Sequence, residues 1–197
     1  QIAAIPSGSG EVNTMASVGA GASIYKEKSG VQFKLRTLVQ GTGVVITQGT
    51  DTIQSNTSFS LVPFASIERL MLTGAALTGT GNALANIING NTAANTLSGG
   101  DGNDTLNGAT GNDTLEGGAG RDQPDGGVGN DTFLNPTGDT ILEAAGQGTD
   151  TVLSDVSFSL AAAANVERLT LTGTAADGTG NALDNLITGN AAANVLN

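Results

Sequence analysis

Four aspartates, Asp104, Asp113, Asp122 and Asp131, recur at every ninth residue among glycine, asparagine and threonine. Carboxylates repeated at one interval offer oxygen ligands to a hard cation once a coiling backbone stacks them. Their frame is a nine-residue unit written four times without insertion: Gly99 to Asn107, Gly108 to Glu116, Gly117 to Asp125 and Gly126 to Leu134. Aspartate holds the sixth place of each unit. Glycine holds the first and fourth, where a tight turn calls for residues that tolerate positive φ and leave carbonyls uncovered. The eighth place is Leu106, Leu115, Pro124 and Phe133, an apolar knob in three units of four, on a very short strand after six residues of turn.

These units resemble the glycine-rich nonapeptide repeats of RTX proteins, and the resemblance implies a parallel β-roll that binds Ca²⁺. It also implies that two units make one coil, with Asp104 lying over Asp122, Asp113 over Asp131, and an ion shared between the stacked turns. Stacked strands are about 4.8 Å apart. Two unpaired carboxylates at that distance repel by roughly 3 to 4 kcal/mol at an effective dielectric of 20, and a divalent ion turns the repulsion into attraction. The chain has neither cysteine nor histidine, and oxygen-only ligation suits Ca²⁺ better than Zn²⁺ or copper. Ordinary Asn-Asp and Gly-Gly turns without a metal are the alternative reading. The run Arg121-Asp122-Gln123-Pro124 departs from the pattern: proline is expected to delete a ladder donor and a core contact, and Arg121 sets a positive charge beside a ligand.

The elements that must position these residues extend well beyond them. Gly81 to Asn89 and Gly90 to Ser98 keep the nine-residue spacing but carry Asn86 and Asn95 in the sixth place, with Ile88 and Leu97 as inward knobs. Stacked asparagine amides are expected to form a metal-free ladder there. A longer period of 99 residues returns Gln48-Gly49-Thr50-Asp51-Thr52 as Gln147 to Thr151, Ser58 to Leu61 as Ser157 to Leu160, Glu68-Arg69-Leu70 as Glu167-Arg168-Leu169, and Gly79 to Leu84 as Gly178 to Leu183. One copy thus spans 48–146 and a partial copy 147–197. This unit is similar to the spacer joining nonad blocks in many large bacterial RTX proteins, a likeness carried by Phe133-Leu134, Gly138-Asp139, Glu143-Ala144-Ala145, Gly148 to Val152, Val166 to Gly173 and Gly180 to Asn185.

The expected fold class is all-β, a right-handed parallel β-solenoid (β-roll) over 51–197 behind a small N-terminal β module at 1–50. The nonads at 99–134 are its Ca²⁺-binding block. The stretch near 135–165 is less regular, with room for one helical turn at Leu160 to Ala164. Leu70 and Leu169, Ile88 and Ile187, and Leu97 and Leu196 should be buried at equivalent positions. Because Asn197 is equivalent to Ser98, further Gly-Gly-x-Gly-x-Asp units are expected to follow.

Charge divides the chain. Residues 1–50 carry four cations against two acids; residues 51–197 carry three arginines against sixteen acids, and the whole stands at −11. Ile5 to Gly10 reads as a flexible lead-in, and Ala22 to Lys26, Val31 to Leu35 and Gly43 to Thr47 read as strands. Gly19 to Gly30, with Phe33, Leu35 to Val39 and Gly41 to Gly43, resembles a short β module of bacteriophage tail-fibre and other virion appendage proteins; a hairpin capping the solenoid end is the plainer alternative.

Without histidine, no Ser-His-Asp or Cys-His arrangement is possible. Glu68 and Glu167 sit at equivalent repeat positions, so they read as parts of the repeat, pairing with arginine or facing water, and not as a glycosidase pair. The acidic surface argues against nucleic acid, and no apolar run is long enough to span a membrane. The expectation is a non-enzymatic, calcium-stabilised structural fibre or spacer, a virion appendage or decoration or a tail-fibre-like protein, placed outside the cell or on a virion. Residues 1–50 would contact virion or cell-surface proteins, and homo-oligomers are allowed. The alternative is the repeat region of a type I secreted RTX adhesin or exoenzyme.

Overall fold

A computed structural model describes residues 51–197 and, before them, only the backbone of three strands: β1 (Thr14–Ser17), β2 (Ser23–Lys26) and β3 (Val45–Thr47). The lead-in at 5–10, the strand expected at 31–35 and most of the 19–43 stretch lie outside the described residues. β1 and β2 pair antiparallel, and β3 pairs antiparallel with β4 (Thr52–Ser55), Ile46 opposite Ile53.

From β4 onward every pairing is parallel. The first copy continues through β5 (Phe59–Ser60), β6 (Arg69–Leu72), β7 (Thr78–Thr80), β8 (Ile87–Asn89) and β9 (Thr96–Asp101). The nonads supply β10 (Thr105–Asn107), β11 (Thr114–Ala119), β12 (Gln123–Asp125) and β13 (Thr132–Leu134). The second copy adds β14 (Thr151–Ser154), β15 (Phe158–Ser159), β16 (Arg168–Leu171), β17 (Asp177–Thr179), β18 (Leu186–Thr188) and β19 (Val195–Leu196). A 3₁₀ turn, Leu160–Ala162, stands where one helical turn was expected, with the Ala161 N–H capped by the Ser159 hydroxyl.

From β4 to β13 successive strands alternate between two stacks, so the chain winds as a β-solenoid with two strands per coil; β13 and β14 share one stack, and the strandless segment between them takes the other side. One stack runs β12-β10-β8-β6-β4-β3 and the other β18-β16-β14-β13-β11-β9-β7-β5, while β15-β17-β19 form a third, shorter sheet. With one strand of the eight-stranded sheet per coil, the solenoid makes about eight turns. In the nonad block the coil is eighteen residues: Thr105 faces Ile87 on one side and Gln123 on the other. The eighth-place side chain of each unit turns inward, so Ile88, Leu97, Leu106, Leu115 and Phe133 form a core no more than 1% exposed. A core one side chain wide per strand leaves the turns to hold much of the structure.

Ninety-nine residues are eleven nonads, or five and a half coils of eighteen, so the second copy enters half a turn out of phase. Accordingly β4, β6 and β8 lie in the same sheet as β10, but their counterparts β14, β16 and β18 lie in the sheet of β11 and β13. Local structure is nevertheless reproduced: the Ser55 and Ser154 hydroxyls donate to the carbonyls of Thr57 and Val156, each at 2.8 Å. Leu70 and Leu169 are both fully buried. The expected equivalence fails at the last coil, where Ile187 is only partly buried and Leu196 is 44% exposed; among the described residues β18 and β19 are the terminal strands of their sheets.

Pro124 also departs from expectation. It is buried and stands in register with Leu106, so the core contact is kept. The Gln123 N–H donates back to Asp104, and alternation along the strand turns the next residue's missing donor toward the following coil. There the sheet ends, with only an isolated bridge between Asp125 and Leu142. Proline at an edge strand costs no ladder bond on the paired side.

Candidate metal centre

The residue before each strand starts a column along the solenoid edge. On one edge the N–H of Asn86 donates to Asp104 Oδ1 at 2.6 Å, that of Asp104 to Asp122 Oδ1 at 2.7 Å, and that of Asp122 to Asp139 Oδ1 at 3.0 Å. On the other edge Asn95 donates to Asp113 at 2.6 Å, Asp113 to Asp131 at 2.7 Å, and Asp131 to Asp150 at 2.8 Å. The four nonad aspartates are brought together in the two stacks that the resemblance implies, Asp104 with Asp122 and Asp113 with Asp131.

Each nonad carboxylate thus spends one oxygen on the backbone of the coil below. The other, Oδ2, has no hydrogen-bond partner in Asp104, Asp113, Asp122 or Asp131, although each side chain is only 1% exposed. Buried polar atoms are ordinarily satisfied, and a buried unpaired carboxylate oxygen is the costliest of exceptions. Burial is the main reason the carboxyls of Asp104 and Asp113 are pushed up to about 6; the stacked carboxylates of Asp122 and Asp131 add to it, against the lowering by the backbone N–H bonds. Burial likewise raises Asp131 and Asp139.

The first-place glycines explain where a cation would sit. Their φ is not positive, contrary to expectation; the positive values fall at the second and fourth places, as at Gly100 (101°) and Gly102 (122°). Glycine at the first place is required by space. A Cβ on Gly99 would strike Asp104 Oδ2 and stand 2.5 Å from the Gly117 carbonyl oxygen of the next coil, and one on Gly108 would meet Asp113 Oδ2 and the Gly126 carbonyl in the same way. The vacant Cβ position is therefore bordered by a carboxylate oxygen and a backbone oxygen, the donor set of a hard divalent cation.

The asparagine coils show the same geometry solved without a cation. Asn86 Nδ2 donates to the Ile67 and Glu68 carbonyls of the coil below, and Asn95 Nδ2 to the Ala76 carbonyl. In the second copy Asn185 and Asn194 repeat these bonds to Val166 and Ala175. These sixth-place amides bond to backbone carbonyls, not to one another from coil to coil as a ladder of amides would. The Oδ1 of Asn86 and of Asn95, which stands beside the first-place glycine where aspartate has Oδ2, accepts the N–H of Asn82 or Asn91 at 2.7 Å, so the asparagine turns leave no open oxygen for a cation to satisfy.

Arg121 is exposed and its backbone N–H bonds to Asn103 Oδ1, while Asp122 beside it is buried. The fifth-place asparagines thus form an outer seam, continued by Asn130 on Asn112 and Thr149 on Asn130. Glu68 and Glu167, expected to pair with arginine or face water, instead accept the N–H of Asp51 and of Asp150. Sequence reasoning missed Asp139 and Asp150 as members of the columns. The signal was present: each is followed by threonine, as are Asp104, Asp113 and Asp131.

Residues 80–115 and 99–133 match the RTX calcium-binding nonapeptide repeat, in four copies. No curated protein and no solved structure matches the chain significantly. RTX nonapeptide repeats bind calcium, and the buried aspartates with open oxygens are consistent with it. Residues 80–133 are thus similar to the RTX calcium-binding nonapeptide repeat and stand within a longer β-solenoid.

Proposed function

We propose that this chain is a non-enzymatic spacer whose solenoid is stiffened by Ca²⁺ held between stacked nonad turns, with Asp104 and Asp122 at one edge and Asp113 and Asp131 at the other. The observation that carries this reading is the set of four buried, unpartnered Oδ2 atoms at one coil spacing. The ion supplies charge neutralisation and cross-coil ligation, not chemistry on a substrate. Single-molecule extension tests the mechanical role: in Ca²⁺ the 99–134 segment should resist a higher force than in chelator, and equal forces would overturn it.

The setting proposed is extracellular, as part of an exported RTX-type array, which the nonapeptide match favours. Among the described residues no helix is long and apolar enough to cross a membrane. A virion appendage is the second reading, supported by the likeness of residues 19–43 to tail-fibre modules. Finding the protein in purified particles would favour the virion; finding it on cells or in culture medium would favour export.

A further inference from the structure

Beyond the nonads, where the block gives way to the spacer, three acids converge. One carboxylate oxygen from each of Asp131, Glu143 and Asp150 lies within 4.8 Å of the other two. Asp131 and Asp150 are each 1% exposed. A cluster of acids alone says little, but two atoms here are buried with nothing to bond: Asp131 Oδ2 and Glu143 Oε2. Glu143 Oε1 only accepts the N–H of neighbouring Ala144, at 3.2 Å, while Asp150 Oδ1 accepts the N–H of Asp131.

We propose that Asp131, Glu143 and Asp150 form a further divalent-cation site, of Ca²⁺ class and sharing Asp131 with the nonad column, that clips the spacer onto the end of the nonad block. It differs from the nonad sites in kind, drawing three side-chain carboxylates where those draw two. The all-oxygen set, three negative charges and absence of nitrogen or sulfur donors suit a hard cation. It also sits where the winding changes, because Thr132 faces Thr151, nineteen residues on, instead of eighteen. Glu143 reaches the site from the coil segment 135–150 that carries no strand, and the Glu143 carbonyl is itself held by Asn165 Nδ2 at 2.7 Å. Without a cation, burial and the carboxylates of Asp150, Asp131 and Asp125 push Glu143 up to about 8.

The inference shares with the proposed function the reading of stacked carboxylates as cation ligands, and the test separates the two. Native mass spectrometry of the full chain, with Ca²⁺ as the probe, counts bound ions in the wild type, Glu143→Gln, Asp150→Asn and the double variant Asp104→Asn/Asp113→Asn, with hydrogen exchange of β14 as the check on folding. Glu143→Gln and Asp150→Asn should each lose one ion and keep the nonad ions, and the double variant should keep the junction ion. Wild-type ion counts in both single variants, or a folded double variant with no ion, would overturn the junction site. A double variant with an unchanged count, beside a Glu143→Gln protein that loses an ion, would leave the junction site standing and remove the nonad reading.

Discussion

At the scale of the residue, the difference between aspartate and asparagine decides what each turn needs. Asp113 Oδ1 accepts the N–H of Asn95, and an asparagine in its place would keep that acceptor while its NH₂ neutralises the site, so Asp113→Asn should be more stable than the wild type in chelator and lose its response to Ca²⁺ at that edge. Asp113→Ala, which strands a buried N–H, should cost about 1–3 kcal/mol more than Asp113→Asn; thermal melting of the two variants with and without Ca²⁺ checks both statements, and equal stabilities would contradict them. Gly108→Ala puts a methyl between Asp113 Oδ2 and the Gly126 carbonyl, so calorimetry should find Ca²⁺ affinity lowered by at least about tenfold, the equivalent of roughly 1.4 kcal/mol. The raised carboxyls fix the sign of the pH dependence without metal. Asp104 and Asp113 rise from 3.8 to about 6, so the folded state binds protons more tightly than the unfolded one. Metal-free stability is then greatest at the acid end and falls as pH climbs from about 4 through about 6, with Glu143 extending the fall to about 8. Melting in chelator from pH 4.5 to 8.5 should give a falling midpoint; a rising one would show that these carboxylates are stabilised as anions without a cation.

At the scale of the element, short strands of three to six residues with a narrow inward face hold only through their neighbours above and below. Leu115, 1% exposed, packs in the column between Leu97 and Phe133 in register. Leu115→Ala should cost about 2–5 kcal/mol, and because a solenoid transmits stability only through adjacent coils, hydrogen exchange should rise in β9, β11 and β13 and not in β16 and β18. Uniform loss of protection over both copies would show one cooperative unit instead. These strands were legible in the sequence because the apolar eighth place never loses register over four units, and Phe158 with Leu160 and Leu169 with Leu171 alternate by two. Pro124 was misjudged because sequence pattern does not say which strand ends a sheet. The first-place glycines were misjudged for a related reason: the sequence shows that glycine is needed, but only a stacked neighbour shows that the need is for space.

At the scale of the whole molecule, the odd number of nonads in a 99-residue period turns each copy half a coil from the last, so an array of such units presents its repeated faces on alternating sides. The fold class and the pairing of the four aspartates could be read in advance, since one strict period specifies coil, register and stack together. Glu143 could not, because it lies in a coil that abandons the nine-residue spacing and meets Asp131 and Asp150 only after the chain has wound round. Upstream the columns continue directly into amide-bearing turns, and downstream amides return at Asn185 and Asn194 beyond Asp139, Asp150 and Glu167; these amides bond to carbonyls without help. Dependence on Ca²⁺ should therefore be confined to a band of the solenoid. Hydrogen exchange of the full chain in Ca²⁺ and in chelator measures that band directly. Removal of Ca²⁺ should deprotect β10 through β13 while β8, β16 and β18 keep their protection; a 99–134 segment with the same exchange in both conditions would contradict the account.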